Sequence, residues 1–244
     1  SSRLKTAAEK VEKATKKAPT VFSDYRKLLE NKDIDAVVVS TPDHWHALIT
    51  VDACKAGKDV YCEKPLTLTV AEGRVIADAA TKYKRIVQTG SQQRSDEKFR
   101  RACEYVRNGA LGKITEVRVG IPGPNFKGPP VEDSKAPPEL DYEFWLGPAP
   151  ARPYNEKRVH YLFRFFWDYS GGQLTNFGAH HLDIAQWGLG MDDSGPVAVE
   201  AKAQFHKDKW YETPETCEIT YTYANGIKMI CSMKEKGGTT FIGE

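Results

Sequence analysis

The run Ala36-Val37-Val38-Val39 constrains the fold more than any other stretch of this chain. It leaves no polar face to turn toward water. Such a run reads as a strand buried on both faces of a parallel sheet. Thr41-Pro42-Asp43 then turns the chain into a helix over about 44–57, which Gly57 ends. The pattern repeats. Asp59 to Cys62 is the next strand, Thr69 caps a helix over 70–83, and Ile86-Val87-Gln88 is a third strand. Residues 96–108 form a further helix closed by Gly109. Upstream, Leu4, Ala7, Ala8, Val11 and Ala14 make a helical stripe over 3–17, and Ser23 is placed to cap a short helix starting at Asp24. Strands and helices alternating at this spacing specify βαβ units on a parallel sheet.

The rhythm changes after Gly112. Residues 113–121 alternate apolar and polar, as an antiparallel strand does, and a loop rich in Pro and Gly follows to 150. An aromatic cluster comes next, Tyr161, Phe163, Phe165, Phe166, Trp167 and Tyr169, and then a helix over 178–189. The tail reads as at least three strands, over 197–206, 215–223 and 227–234, the last two joined at Asn225-Gly226. Two domains are therefore expected, residues 1–112 on the parallel sheet and residues 113–244 carrying the later strands.

Charge removes several function classes. The chain has 244 residues, with 35 basic and 33 acidic side chains and a net charge of +2. That balance gives no electrostatic case for nucleic acid or a membrane surface. Lys10, Lys13, Lys16 and Lys17 are interleaved with Glu9 and Glu12, a solvated helix face. No apolar run approaches the roughly eighteen residues a membrane span needs. The five cysteines, Cys54, Cys62, Cys103, Cys217 and Cys231, are odd in number and scattered, so they read as reduced or buried thiols rather than a disulfide frame or zinc site. A cytoplasmic location is expected, with the periplasm as the other compartment.

Two motifs carry the chemistry. Glu63-Lys64-Pro65 follows a strand, at the carboxyl end where α/β sheets bind ligands. Gly171-Gly172-Gln173-Leu174-Thr175-Asn176-Phe177-Gly178-Ala179-His180-His181-Leu182-Asp183 comes about 110 residues later. Taken with Val37 to Pro42 and His46, these motifs resemble, in order and spacing, the glucose–fructose oxidoreductase/inositol dehydrogenase/rhizopine-catabolism family of NAD(P)-dependent oxidoreductases. The resemblance runs over nearly the whole chain. It implies a Rossmann-type parallel sheet followed by an α+β domain on a large, mostly antiparallel open sheet that packs against another subunit. It implies NAD or NADP as cofactor. It also implies that the family's Gly-x-Gly-x-x-Gly turn would lie before Ser1, and that the family's sheet would continue past Glu244.

Candidate residues follow. Lys64, fixed in an extended backbone by Pro65, supplies a cation near a reacting hydroxyl. A surface lysine in a loop is its bland reading. His180 supplies a proton acceptor near neutral pKa, against the alternative of a buried structural histidine. Asn176, His180 and Asp183 can share one helix face. The family carries an acid where this chain has Asn176, so Asn176 reads as an orienting or substrate-binding amide. By resemblance Ser40, Thr41, Pro42, His46, Glu63 and Lys64 line the cofactor, and Trp45 lines the pocket. Arg94, Arg164, Trp167, Asp168 and Asp183 are candidates for substrate, since charged hydrogen-bonders beside aromatic rings suit a sugar. Phe163, Phe165, Phe166 and Trp187 read as core. His44-Trp45-His46 with His180-His181 could suggest a metal, but alternating histidines on a helix point different ways, and no metal is expected.

The reading is an oxidoreductase acting on a secondary alcohol of a sugar, glycoside or cyclitol, forming a homo-oligomer through the open sheet. An NAD-dependent glycoside-cleaving enzyme is the alternative within enzymes. A non-catalytic binding or assembly fragment is the alternative outside them.

Overall fold

The computed structural model describes residues 2–126, 129–208 and 210–244. Its first half alternates as expected: α1 (Ser2–Thr15), α2 (Tyr25–Leu29), β1 (Ala36–Val39), α3 (Asp43–Lys55), β2 (Asp59–Glu63), α4 (Val70–Tyr83), β3 (Val87–Gly90) and α5 (Glu97–Arg107). The strands form a three-stranded parallel sheet in the order β1-β2-β3. Thr69 caps α4 through a full capping box with Glu72. Asp24, not Ser23, caps α2: its carboxylate accepts from the Arg26 N–H.

Strand β1 departs from expectation. It lies at the sheet edge and pairs only with β2. Its two faces also differ. Val37 and Val39 join Val60, Cys62 and Val87 in a core beneath α3 and α4. Val38 points to the opposite face and is 70% exposed. Both helices pack on one side of the sheet, so a β-branched run covered on one face looks, in sequence, like one covered on two. The α1 stripe likewise stays largely exposed, with Val11 at 45%.

The second half builds on a five-stranded sheet in the order β5-β6-β7-β4-β8, from β4 (Ile114–Gly120), β5 (Ala198–Gln204), β6 (Thr216–Thr222), β7 (Lys228–Ser232) and β8 (Gly238–Gly243). Pairing is antiparallel except between β4 and β7. The sheet is thus mixed and mostly antiparallel. Strand β8 adds to the three read in the tail, and Phe241 is its contribution to the core.

Helix α8 (Gly178–Gly188) covers one face, with Ala185 against Val117, Val119, Ile219 and Met229. The other face carries Arg118, Glu116, Glu218 and Lys202. Between the sheets lie α6 (Tyr142–Leu146), a 3-10 turn (His160–Phe165) and α7 (Gly172–Asn176), packed around Phe163, Phe165, Phe166, Tyr169 and Tyr211. All five cysteines are buried and free. Among the described residues no helix is long and apolar enough to cross a membrane.

Candidate active site

A cavity of about 980 Å³ opens at the carboxyl ends of β1 and β2, where parallel sheets present their loops to ligands. Ser40, Thr41, Pro42, His46, Glu63 and Lys64 all border it. Arg164 and Asn176 border it from the second half of the chain.

Helix α3 lines the cavity with Asp43 and His46, while His44 and Trp45 fasten the helix from behind. His44 Nε2 and Trp45 Nε1 both donate to the Trp145 carbonyl, at 2.9 and 3.0 Å, and so clamp α6 to α3. Burial lowers the His44 pKa and keeps the ring neutral. The resemblance puts Trp45 in the pocket lining; instead Trp45 is buried against Tyr25 and Phe144, and Trp145 lines the cavity. Gly147 lets the two approach. A Cβ there would fall 2.0 Å from Trp45 Cζ2.

His46 is 1% exposed, with Nδ1 2.7 Å from the Pro65 carbonyl and Nε2 2.9 Å from the Thr41 carbonyl. Carbonyls only accept, so both ring nitrogens must donate, and only imidazolium does that. Its pKa is pushed up to about 9: burial opposes the charge, while Cys62, the Pro65 carbonyl and Asp43 outweigh it. His46 is therefore a buried cation tying together the turns that follow β1 and β2.

Lys64 reaches across to α7. Its Nζ donates to Asn176 Oδ1 at 2.7 Å and to the Asn176 carbonyl at 3.1 Å. The lysine can only donate, so the amide oxygen must face it. Asn176 Nδ2 then donates to Gln173 Oε1 at 3.1 Å, and Gln173 Nε2 to the Gly123 carbonyl at 3.1 Å. One donor chain fixes both amides. Burial pulls the Lys64 pKa down; Asp43 counters this and the Arg164 charge adds to it.

His180 and His181 have different environments. His181 Nδ1 is 2.7 Å from the Gly120 carbonyl, anchored to β4. His180 Nδ1 is buried with no partner among the described residues. Burial, then the Lys64 charge, lowers the His180 pKa, which favours the neutral ring. His180 is outside the cavity lining; Lys64, which borders the cavity, acts on its imidazole through its charge.

Some sequence candidates do not meet at this cavity. Arg94 grips Asp183 with two hydrogen bonds, at 2.7 and 2.8 Å, and also reaches Asp192 at 2.8 Å. The two residues assigned to substrate are spent on each other, joining the turn after β3 to α8. Asp168 pairs with Arg152 at 2.9 Å, and the half-exposed Trp167 donates its backbone N–H to Glu212. Neither borders the cavity. Asp43 was missed. It is 7% exposed, lines the cavity and accepts a hydrogen bond from Ser170 Oγ. Burial raises its pKa. In sequence it reads as an ordinary acid in a first helical turn, with no mark of burial.

Residues 1–91 match the family model described as "oxidoreductase family, NAD-binding Rossmann fold", and residues 106–243 match its companion, "oxidoreductase family, C-terminal alpha/beta domain". The chain belongs to the glucose–fructose oxidoreductase/inositol dehydrogenase/rhizopine-catabolism family of oxidoreductases. It is 34% identical over 142 residues to a myo-inositol 2-dehydrogenase of Thermotoga maritima, covering 57% of this chain and 37% of that protein. It is 32% identical over 170 residues to a levoglucosan dehydrogenase of Pseudarthrobacter phenanthrenivorans, covering 69% of this chain and 36% of that protein. A solved levoglucosan dehydrogenase, in complex with NADH and L-sorbose, superimposes with a TM-score of 0.67 at 22% identity, over 91% of this chain and 55% of that one. The chain thus spans about half or less of the curated relatives it matches.

Proposed function

We propose that this family member oxidises a secondary alcohol of a sugar or cyclitol, with NAD or NADP taking up the hydride. The observation that carries the reading is Lys64. It stands at the end of β2, inside the cavity, with two of its three donors fixed by Asn176 and one left for a ligand oxygen. The named activities of the relatives, on myo-inositol and levoglucosan, support the substrate class.

The cavity fits the nicotinamide end of such a cofactor. Ser40 and Thr41 present exposed hydroxyls at the end of β1, Pro42 and Pro65 offer apolar surface, and His46 holds the two turns in place. A bound nicotinamide would accept the hydride. Lys64 would hydrogen-bond the reacting oxygen and stabilise negative charge as it develops there. His180, kept neutral by burial and the Lys64 charge, would serve as the proton acceptor. Asn176 orients Lys64 without adding a counter-charge, so the lysine's depressed basicity is preserved. Asp43 stands in the same wall, biased toward its neutral form.

The reading extends to assembly: the uncovered face of the second sheet is the surface through which copies would pair. The test of function is nicotinamide reduction at 340 nm by the whole protein, with NAD and NADP, against a panel of cyclitols, anhydrosugars, free sugars and glycosides. Reduction by at least one class supports the reading. Release of a free reducing sugar from a glycoside, without net nicotinamide reduction, would favour oxidative glycoside cleavage instead.

A further inference from the structure

We propose that the substrate of this site carries an anionic group, a carboxylate or phosphate, and that Arg164 receives it. This rests on the sugar-oxidoreductase reading above and narrows its substrate class.

Arg164 stands out among its neighbours by what it lacks. Arg152 pairs with Asp168 and Glu212, both at 2.9 Å; Arg158 pairs with Asp133 at 2.9 Å; Arg94 pairs with Asp183 at 2.7 Å. Arg164 forms no ion pair among the described residues, yet it is half-buried and borders the cavity. Aromatic rings hold it instead. Its guanidinium carbon lies 4.1 Å from the centre of the Tyr161 ring and 5.0 Å from that of Phe163, and Nη1 donates to the Tyr161 carbonyl. Rings fix the plane of a guanidinium and leave its charge unneutralised. The remaining donors have no protein acceptor among the described residues.

The acids of the cavity do not fill that role. Asp43 feels the Arg164 charge but makes no ion pair with it; it accepts from Ser170, and burial biases it toward the neutral acid. Glu63 accepts from the Lys64 backbone N–H and lies against Gly90. Glu139 is exposed. None is within ion-pairing distance of Arg164, and Arg3 and Lys64 add positive charge to the same lining. A planar fork held rigid beside apolar rings, with unspent donors, matches the two oxygens of a carboxylate or phosphate. Trp145 and Tyr161 offer the C–H faces of a sugar ring a surface, while Lys64 holds the reacting hydroxyl.

The anion could belong to the sugar or to the phosphates of the nicotinamide cofactor. Arg164 belongs to the 3-10 turn of the second half of the chain, whereas the proposed nicotinamide lining comes from the turns after β1 and β2, which favours the sugar.

Calorimetric titration of the whole protein separates the sources, using D-glucuronate, D-glucose 6-phosphate, D-glucose and NAD. Glucuronate or the phosphate ester should bind about tenfold more tightly than glucose, the worth of one charge-assisted hydrogen-bond pair. That ratio should fall to about one in Arg164→Gln. Arg164→Lys, which keeps the charge and loses the fork, should recover part of it and serves if the glutamine variant misfolds. Glucose binding as tightly as both acids would overturn the proposal. So would an acid preference that survives in Arg164→Gln, or a loss of NAD affinity in that variant with the sugar preference intact. Failure of every sugar to bind would overturn both this proposal and the reading beneath it.

Discussion

The Lys64 ammonium stands 2.7 Å from the Asn176 amide oxygen, and that amide is locked in turn by Gln173. A carboxylate in the same place would make an ion pair and raise the lysine pKa; the amide does not. Asn176→Asp should therefore raise the Lys64 pKa. The pH dependence of Lys64 carbamylation by cyanate, followed by peptide mass spectrometry, reads this directly. An unchanged profile would show that Asn176 does not set the lysine's basicity.

His46 links pH to stability. Its folded pKa is raised, from 6.5 to about 9, so the folded state binds the proton more tightly. The stabilisation is full below the unfolded pKa and is lost as pH rises through about 9. Urea unfolding should show declining stability across that window. His46→Ala leaves the Thr41 and Pro65 carbonyls without their donors and should cost about 2–4 kcal/mol. The variant should also flatten the pH dependence between those limits. A variant with the same slope as the parent protein would remove His46 as the source.

Gly147 has φ +50, and its missing side chain makes room for Trp45. Gly147→Ala should destabilise by about 1–3 kcal/mol through overpacking, with backbone strain added. Thermal unfolding measures it. A change within about 0.5 kcal/mol would mean that α6 moves away from Trp45 at little cost.

Asp183 tests the reassignment of the Arg94 pair. The pair is about one-third exposed, so its worth is modest. Asp183→Asn should cost about 1 kcal/mol of stability and leave substrate KM within about threefold. A tenfold rise in KM with unchanged stability would return Asp183 to the substrate.

Much of this fold was legible because its elements punctuate clearly. Thr69 and Glu72 spell a capping box, Asn225-Gly226 marks the β6–β7 turn, and six predicted cofactor residues border one cavity. What escaped depended on partners distant in sequence. Val38 looks like Val39 until helices are placed on only one side of the sheet. Arg94 and Asp183 looked like two ligands for substrate because nothing in the sequence shows that they satisfy each other. Asp43 and Ser170 are 127 residues apart, so neither one discloses the buried contact between them. Arg164 was visible as a charge beside aromatics, but its lack of an acidic partner emerges only when the neighbouring arginines are seen paired.

Lys64 is the residue on which the functional account stands. The most direct measurement is single-turnover nicotinamide reduction by the whole protein, Lys64→Ala against the parent, with the best alcohol from the panel. The account predicts a rate lower by about 10²–10⁴-fold, the usual worth of a positioned acid–base group, with cofactor affinity changed far less. Turnover within about threefold of the parent would contradict it, since a lysine that can be removed at no cost is not holding the reacting oxygen.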